Sequence, residues 1–469
     1  MAAGTTKTLI ARGAILVLLV GLWLVPAPEG LTPQAWRLFA IFASTIAAVV
    51  VSALPILTAS VLAVAIAVLT NTLPASDAYS GFANGTILLI VIAFLVARAV
   101  ITSGLGKRIG FAVVSVFGRS TLGLAYSLFV VDAVIAPAFP SNTARSGVLY
   151  PLAFSLAEAA GAKPTDPSRR RLGSFLMFSG LASLSISSGL WLTAMAANPL
   201  GAEIAKASGV TISFGSWVIA ACVPAIAAIV LLPLILYKLI RPEVTSTPEA
   251  PAAAKKELAA LGRMSRNERI VCVTFVGMVV LWGLAGTIGL DSTAIAFLGL
   301  AILLITGVLT LKDIGEQGDV LAIYLWFAIL FTLSSQLDKL GFMAFVGNHL
   351  ATALGGLSGL AAGVILVVAY VLLHYLFVSQ TAHLLALFGV FLDVGVRLGV
   401  PAGPLAFQLL FATNYFSVIT PQGGSSNLLF AGSGYMTQGE LYKYGAILTG
   451  CSLVIYLVLG TPWLMWVAR

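Results

Sequence analysis

Two short polar runs stand out in a chain that otherwise avoids polarity: Ser141-Asn142-Thr143-Ala144-Arg145 and, 238 residues later, Ser379-Gln380-Thr381-Ala382-His383. Each reads hydroxyl, amide, hydroxyl, alanine, basic. Hydroxyls and amides bind without reacting, and a guanidinium stays charged at physiological pH. The chemistry on offer is therefore capture of a small anion rather than bond cleavage. A charge at membrane depth costs about 2.5–3.5 kcal/mol even on the lenient insertion scale, so Arg145 needs a partner. The acids within apolar stretches are Asp132, Glu158 and Asp393. Asp132 is the internal alternative, but thirteen residues and a turn separate it from Arg145, so a bound anion is the stronger expectation. His383, ordinarily titrating near pH ~6.5, offers either a neutral hydrogen bond or a second positive charge.

Further candidates come from two runs that cannot continue as regular helix. Thr420-Pro421-Gln422-Gly423-Gly424-Ser425-Ser426 carries a proline and adjacent glycines, and Ser185-Ile186-Ser187-Ser188-Gly189 reads as its softer counterpart. The expected substrate-binding set is thus Ser141, Asn142, Thr143, Arg145, Ser188, Gly189, Ser379, Gln380, Thr381, His383, Thr420 and Pro421. Blander readings cover the rest. Cys222, Cys272 and Cys451 lie in apolar spans without paired spacing and read as packing residues. His349 falls in a loop and His374 in a hairpin arm, both structural, and Arg98 is placed to snorkel. There is no HExxH, CxxC, phosphate-binding loop or dinucleotide fingerprint. No catalytic residue, cofactor or metal site is expected, and no enzyme.

The elements that must position these residues follow from composition. Of 469 residues 59% are hydrophobic and 9% charged, with mean hydropathy +1.05, which excludes a water-soluble globule. An all-α polytopic membrane protein remains. Apolar runs of about 20 residues lie at 9–28, 34–53, 55–73, 85–105, 173–198, 216–238, 270–290, 292–311, 319–337, 404–430 and 445–467, predicting eleven transmembrane helices. Two more blocks, about 120–160 and 357–396, are interrupted midway by the polar runs. A turn inside an apolar block frees backbone groups that cannot face lipid, so each block reads as a re-entrant hairpin whose tip lines a cavity.

The net charge of +8 does not point to nucleic acid, because the basic residues sit in short loops. With the N-terminus cytoplasmic, 18 of the 25 Lys/Arg fall on the cytoplasmic side; Arg37, Lys206, Lys339, Arg397 and Arg469 lie opposite. Arg98 and Arg145 lie within apolar blocks. The C-terminus is then outside. The first apolar run lacks a clean cleavage site before Pro26-Ala27-Pro28-Glu29 and reads as a retained helix. The domain reading is an N-terminal helix at 1–30, a first repeat at 31–240, a polar cytoplasmic linker at 241–269 and a second repeat at 270–469. Beyond the tips, Gly104-Leu105-Gly106-Lys107 matches Leu337-Asp338-Lys339-Leu340-Gly341, and Asn198-Pro199-Leu200 matches Asn427-Leu428-Leu429. Five full spans per unit, an odd number, make this an inverted-topology repeat, the architecture of secondary transporters.

The Ser-Asn-Thr turn at 141–143, its copy at 379–381 and the Thr420-Pro421 break resemble the divalent anion/sodium symporter family of dicarboxylate and citrate carriers, over about residues 30–467. The resemblance implies a homodimer with elevator-like motion, and small dicarboxylate anions held by the two tip motifs. Sodium-coupled members also build sodium sites there. This chain departs at Gln380, where Asn is usual, and in carrying Arg145 and His383. In that respect it is similar to the exchanger branch. The expectation is antiport of C4/C5 dicarboxylates such as 2-oxoglutarate, malate and succinate. A sodium-coupled symporter or, less readily, an anion channel stands as the alternative. The absence of a long Arg/Ser-rich leader favours a bacterial inner membrane.

Overall fold

The computed structural model describes residues 2–316, 318–353, 356 and 359–468. Arg469 and the expected hairpin edge at 357 lie outside the described residues. Among these the chain is helical throughout, and the one β-type pairing is an isolated bridge between Ser120 and Ser246. A helix occupies each of the eleven expected spans. Among the described residues ten helices are long and apolar enough to cross a bilayer, a number that includes the hairpin arms Thr121–Ala138 and Gly359–Leu376. Three expected spans are shorter: Thr8–Leu24, Ile56–Leu69 and Ser292–Ile305. The Ile56–Leu69 helix is delimited by Pro55 before it and by a turn at Thr70 after it, and its 14 residues reach about 21 Å at ~1.5 Å per residue.

The lipid takes the place of a polar surface. Along Arg266–Ile288 only 28% of the apolar window is buried, and Val273, Val276, Val280 and Leu284 stand exposed. At the other extreme, every residue from Gly173 to Gly189 is buried. Serine and glycine make that possible: Gly180 lies so close to Phe430 that a Cβ there would meet its ring at 2.7 Å.

Both interrupted blocks are helix–turn–helix hairpins. The first runs Thr121–Ile135, a 3₁₀ turn Ala136–Ala138, then Asn142–Ala159; the second runs Gly359–Leu373, a 3₁₀ turn His374–Leu376, then Gln380–Arg397. The tips match in detail. Ser141 (φ −142°, ψ 122°) accepts from Ala144 N at 3.3 Å, and Ser379 (φ −146°, ψ 127°) accepts from Ala382 N at 3.3 Å. Each serine satisfies a donor the first helical turn leaves open.

The helix breaks also match; the second lies in the expected Thr420–Ser426 run, but the first does not lie where its serines and glycine suggest. Ser188 and Gly189 lie inside the Gly173–Leu190 helix, and the chain leaves helical geometry at Trp191. Trp191 (φ −124°, ψ 138°) and Met195 (φ −148°, ψ 134°) bracket one break, Thr420 (φ −120°, ψ 150°) and Gly424 (φ −153°, ψ 145°) the other. Serine hydroxyls can bond back to carbonyls of their own helix, as Ser185 does to Ala182 at 2.8 Å. A Ser-rich run therefore need not interrupt one.

The polar segment 241–269 is ordered. It contains a helix, Ala250–Ala260, packed on the helix Leu105–Phe117. Upstream of it, Thr121 donates from N to Thr245 O (3.2 Å) and from Oγ1 to Val244 O (2.6 Å), and Thr247 donates to Arg119 O and Gly118 O. Downstream, the Arg108 guanidinium binds both oxygens of Glu268 at 2.6 and 3.1 Å.

By backbone proximity the chain forms two compact units. One comprises Met1–Val91, Leu200–Thr211 and Gln317–Leu409; the other Ile92–Pro199, Ile212–Glu316 and Leu410–Arg469. The second hairpin belongs to the first unit; the first hairpin and the Trp191 and Thr420 breaks belong to the second.

Candidate functional site

Arg145 organises the first tip. It is 0% exposed, and its guanidinium pairs with Asp132 Oδ1 at 2.8 Å. The expectation that the turn keeps these two apart is corrected. A hairpin folds its arms antiparallel, so the last turns of one arm lie beside the first turn of the other. The second terminal nitrogen donates to Asn142 Oδ1 (2.6 Å), to Leu184 O (3.2 Å) and to Ser188 Oγ. Ser188 Oγ in turn has two acceptors within reach, Asn142 Oδ1 at 2.6 Å and Leu184 O at 2.5 Å. Four oxygens thus converge on one tethered cation.

The exposed part of this tip is Thr143, whose Oγ1 lies 2.6 Å from Ser425 Oγ. The hairpin tip of one repeat therefore meets the break of the other through a hydroxyl pair. Ser425 lies outside the expected binding set although it stands in the Gly-rich run. Gly189 contributes its carbonyl, which accepts from Trp217 Nε1 at 2.9 Å. The Trp191 break is laced to the same hairpin: Trp191 Nε1 donates to Ala133 O (2.9 Å), Thr193 Oγ1 to Pro137 O (2.9 Å) and Ala196 N to Pro140 O (3.0 Å). Thr420 and Pro421 open the second break, where Pro421 begins a 3₁₀ turn to Gly423.

In the other unit, Gln380, Thr381 and His383 are buried. The His383 imidazole stands perpendicular to Tyr370 at 4.3 Å between ring centroids, with Phe377 at 4.9 Å and His374 at 5.4 Å. It sits within the tip's aromatic packing. His374, read as a plain structural residue, is its neighbour. His349 is not in a loop; it lies on the helix Phe342–Ala353, with Nδ1 2.9 Å from Phe345 O. Ser379 reaches a cavity of about 430 Å³ that is also lined by Val49, Ser52, Trp326 and Val378.

The two units thus hold different shares of the expected residues. The second unit brings together Ser141, Asn142, Thr143, Arg145, Ser188 and Gly189 with Thr420 and Pro421, and the first holds Ser379, Gln380, Thr381 and His383. What the second-unit cluster can do is hold an anion: it offers exposed hydroxyls at a helix N-terminus, backed by a cation whose own charge is balanced.

The model of the sodium:sulfate symporter transmembrane region matches residues 6–469. The chain is 41% identical over 457 residues to dicarboxylate transporter 2, chloroplastic, of Spinacia oleracea, covering 96% of this chain and 81% of that protein. It is 31% identical over 479 residues to the citrate/succinate antiporter of Escherichia coli (strain K12), covering 97% of each. Among solved structures, the Alcanivorax borkumensis YdaH transporter is similar with a TM-score of 0.58 at 17% identity, over 84% of this chain and 88% of that one. At that identity the likeness is one of fold.

Proposed function

The chain belongs to the sodium:sulfate symporter family, the divalent anion/sodium symporters, and from that premise we propose that it exchanges C4/C5 dicarboxylates, succinate, malate and 2-oxoglutarate among them, across a membrane by elevator-type antiport. One observation carries the reading. At the first tip one oxygen each of Asp132, Asn142, Leu184 and Ser188 binds the Arg145 guanidinium. A sodium ion loads and leaves, so its gradient can drive uptake; a guanidinium is covalently held and permanently charged. Where the cation cannot leave, the driving force must come from a counter-anion.

In the second unit, Ser141, Thr143 and Ser425 with the Thr420–Gly424 break offer groups for a substrate carboxylate; in the first unit, Ser379, Gln380 and Thr381 do. Arg145 and His383 act from behind, shaping the tips. Because Asp132 neutralises Arg145, the barrier that keeps the empty carrier from returning arises from unfilled tip hydroxyls and helix N-termini rather than from a bare charge. The similarity to the Spinacia oleracea dicarboxylate transporter supports the substrate class, and that to the Escherichia coli citrate/succinate antiporter supports exchange. The protein works as a homodimer in a bacterial inner membrane, N-terminus cytoplasmic and C-terminus outside.

Purified protein in vesicles, assayed with radiolabelled succinate, tests the reading. Uptake is expected only into vesicles preloaded with succinate or malate, unchanged by sodium. Sodium-dependent net uptake into empty vesicles would replace it with symport, and flux that neither saturates nor responds to internal anion would replace it with a channel.

A further inference from the structure

We infer that Asn198 and Asn427 are equivalent positioning residues, each pinning the helix break of its repeat, and that Asn414 ties the two pins into one polar network. The amide of Asn198 donates from Nδ2 to Ser188 O at 2.8 Å and Trp191 O at 3.2 Å, ten and seven residues back. That of Asn427 donates from Nδ2 to Ser417 O at 2.6 Å and Thr420 O at 2.8 Å, again ten and seven residues back. Every partner stands 229 positions after its counterpart: 198 to 427, 188 to 417 and 191 to 420. The backbone closures repeat at the same offset. Ala194 N donates to Trp191 O and Gly423 N to Thr420 O, both at 3.1 Å; Asn198 N donates to Met195 O and Asn427 N to Gly424 O, both at 3.0 Å.

The agreement does not come from shared residues within the breaks. Trp191-Leu192-Thr193-Ala194-Met195-Ala196 and Thr420-Pro421-Gln422-Gly423-Gly424-Ser425 share no residue at any aligned position. The asparagine that follows is what they have in common. A helix that stops inside a membrane protein leaves carbonyls of its last turn without intrahelical donors and without water, and one primary amide supplies two donors from a single nitrogen. Both pins are buried, at 0% and 1% exposure.

Asn414 joins them. Its Nδ2 donates to Asn198 Oδ1 at 2.9 Å and to Leu410 O at 2.8 Å, and its own carbonyl accepts from Ser417 Oγ at 3.3 Å. The path Asn198, Asn414, Ser417, Asn427 is continuous, and Ser188 extends it to Asn142 and Arg145. Both breaks are thereby held as one surface behind the tip hydroxyls, and none of the three asparagines needs to touch the transported anion.

The transport arm of the test rests on the proposed exchange; the structural arm does not. Asn198→Asp and Asn427→Asp keep the side-chain shape but offer at most one proton to two carbonyls. In the full-length protein, backbone hydrogen exchange over 191–197 and over 420–426 is expected to rise at least tenfold in the respective variant, with Arg266–Ile288 unchanged. The succinate KM is expected to rise at least tenfold while kcat moves less than threefold, to similar extents at the two sites. Unchanged exchange at both breaks, or an effect at one site alone, overturns the inference. So does a loosened break with wild-type KM in a protein that transports succinate. If the wild type carries no succinate, the exchange reading falls while hydrogen exchange still decides the pins. Should the aspartate variants not fold, Asn198→Ser and Asn427→Ser, with one hydroxyl donor each, must show the same loosening, and wild-type behaviour in them overturns it equally.

Discussion

A fully buried guanidinium needs its charge balanced, and the two terminal nitrogens of Arg145 meet Asp132, Asn142, Ser188 and the Leu184 carbonyl at once, leaving Nε without a partner. Breaking such a pair from one side costs about 3–5 kcal/mol, whereas removing both partners is far cheaper. Asp132→Asn and Arg145→Met are each expected to lower the stability of the purified carrier by about that amount, and the double variant by less than the sum. Thermal unfolding of the four proteins checks this, and strict additivity would dismiss the pair. The hydroxyls at the exposed end should behave the other way. Thr143 and Ser425 are exposed and bonded to each other. Thr143→Val or Ser425→Ala should leave stability within about 0.5 kcal/mol and raise the succinate KM about tenfold, the ~1.4 kcal/mol of one lost polar contact. Vesicle exchange at graded succinate measures it. A change in melting temperature with unaltered KM would make the pair structural.

At the scale of elements, packing around a break decides what its neighbours tolerate. Gly445, on the helix Gln438–Ile455, lies against the approach to the Thr420 break: a Cβ there would stand 2.4 Å from Val418 O and 2.7 Å from Ile419 Cα. Both are backbone atoms and cannot swing aside. Gly445→Ala should displace the break and cut exchange at least tenfold. Gly450→Ala, on the same helix with nothing within 4 Å of the new methyl, should keep full exchange and stabilise by about 0.5–1 kcal/mol. Similar exchange rates in the two variants would show that the break is not held from this side. The hairpins themselves were legible, because a polar turn in an apolar block has few structural solutions and the two tips carry the same residue pattern. The position of the Trp191 break was not. Trp191-Leu192-Thr193-Ala194 contains no proline or glycine, and its interruption depends on Asn198 reaching back across the turn, a tertiary arrangement with no local signature. The Asp132–Arg145 pair is hidden in the sequence for the same reason: separation along the chain measures nothing once two arms run antiparallel.

For the whole molecule, the proposed orientation rests on where its cations are, and the ion pairs do not alter that count. Arg397 is bound to Asp393 at 2.6 Å and Lys206 to Glu203 at 2.7 Å, which reduces the net charge on the face assigned to the outside. Arg108 with Glu268 and Arg169 with Glu440 do the same on the face assigned to the cytoplasm. Orientation during insertion responds to Lys and Arg near the ends of spans, with Asp and Glu contributing little, so the relevant asymmetry stays at 18 against five. In the proposed arrangement five crossing helices between the hairpins give the second repeat the opposite orientation in the membrane, and eleven crossings bring the chain out on the far side. Two exposed positions separate this arrangement from its mirror: Ala253 on the helix of the polar segment and Ala207 in the turn after Ala197–Ala205. With Cys222, Cys272 and Cys451 replaced by alanine, Ala207→Cys should react with an impermeant thiol reagent in intact cells. Ala253→Cys should react only after the membrane is opened. Labelling of Ala253→Cys in intact cells would invert the topology and put the N-terminus, the polar segment and the basic loops outside together.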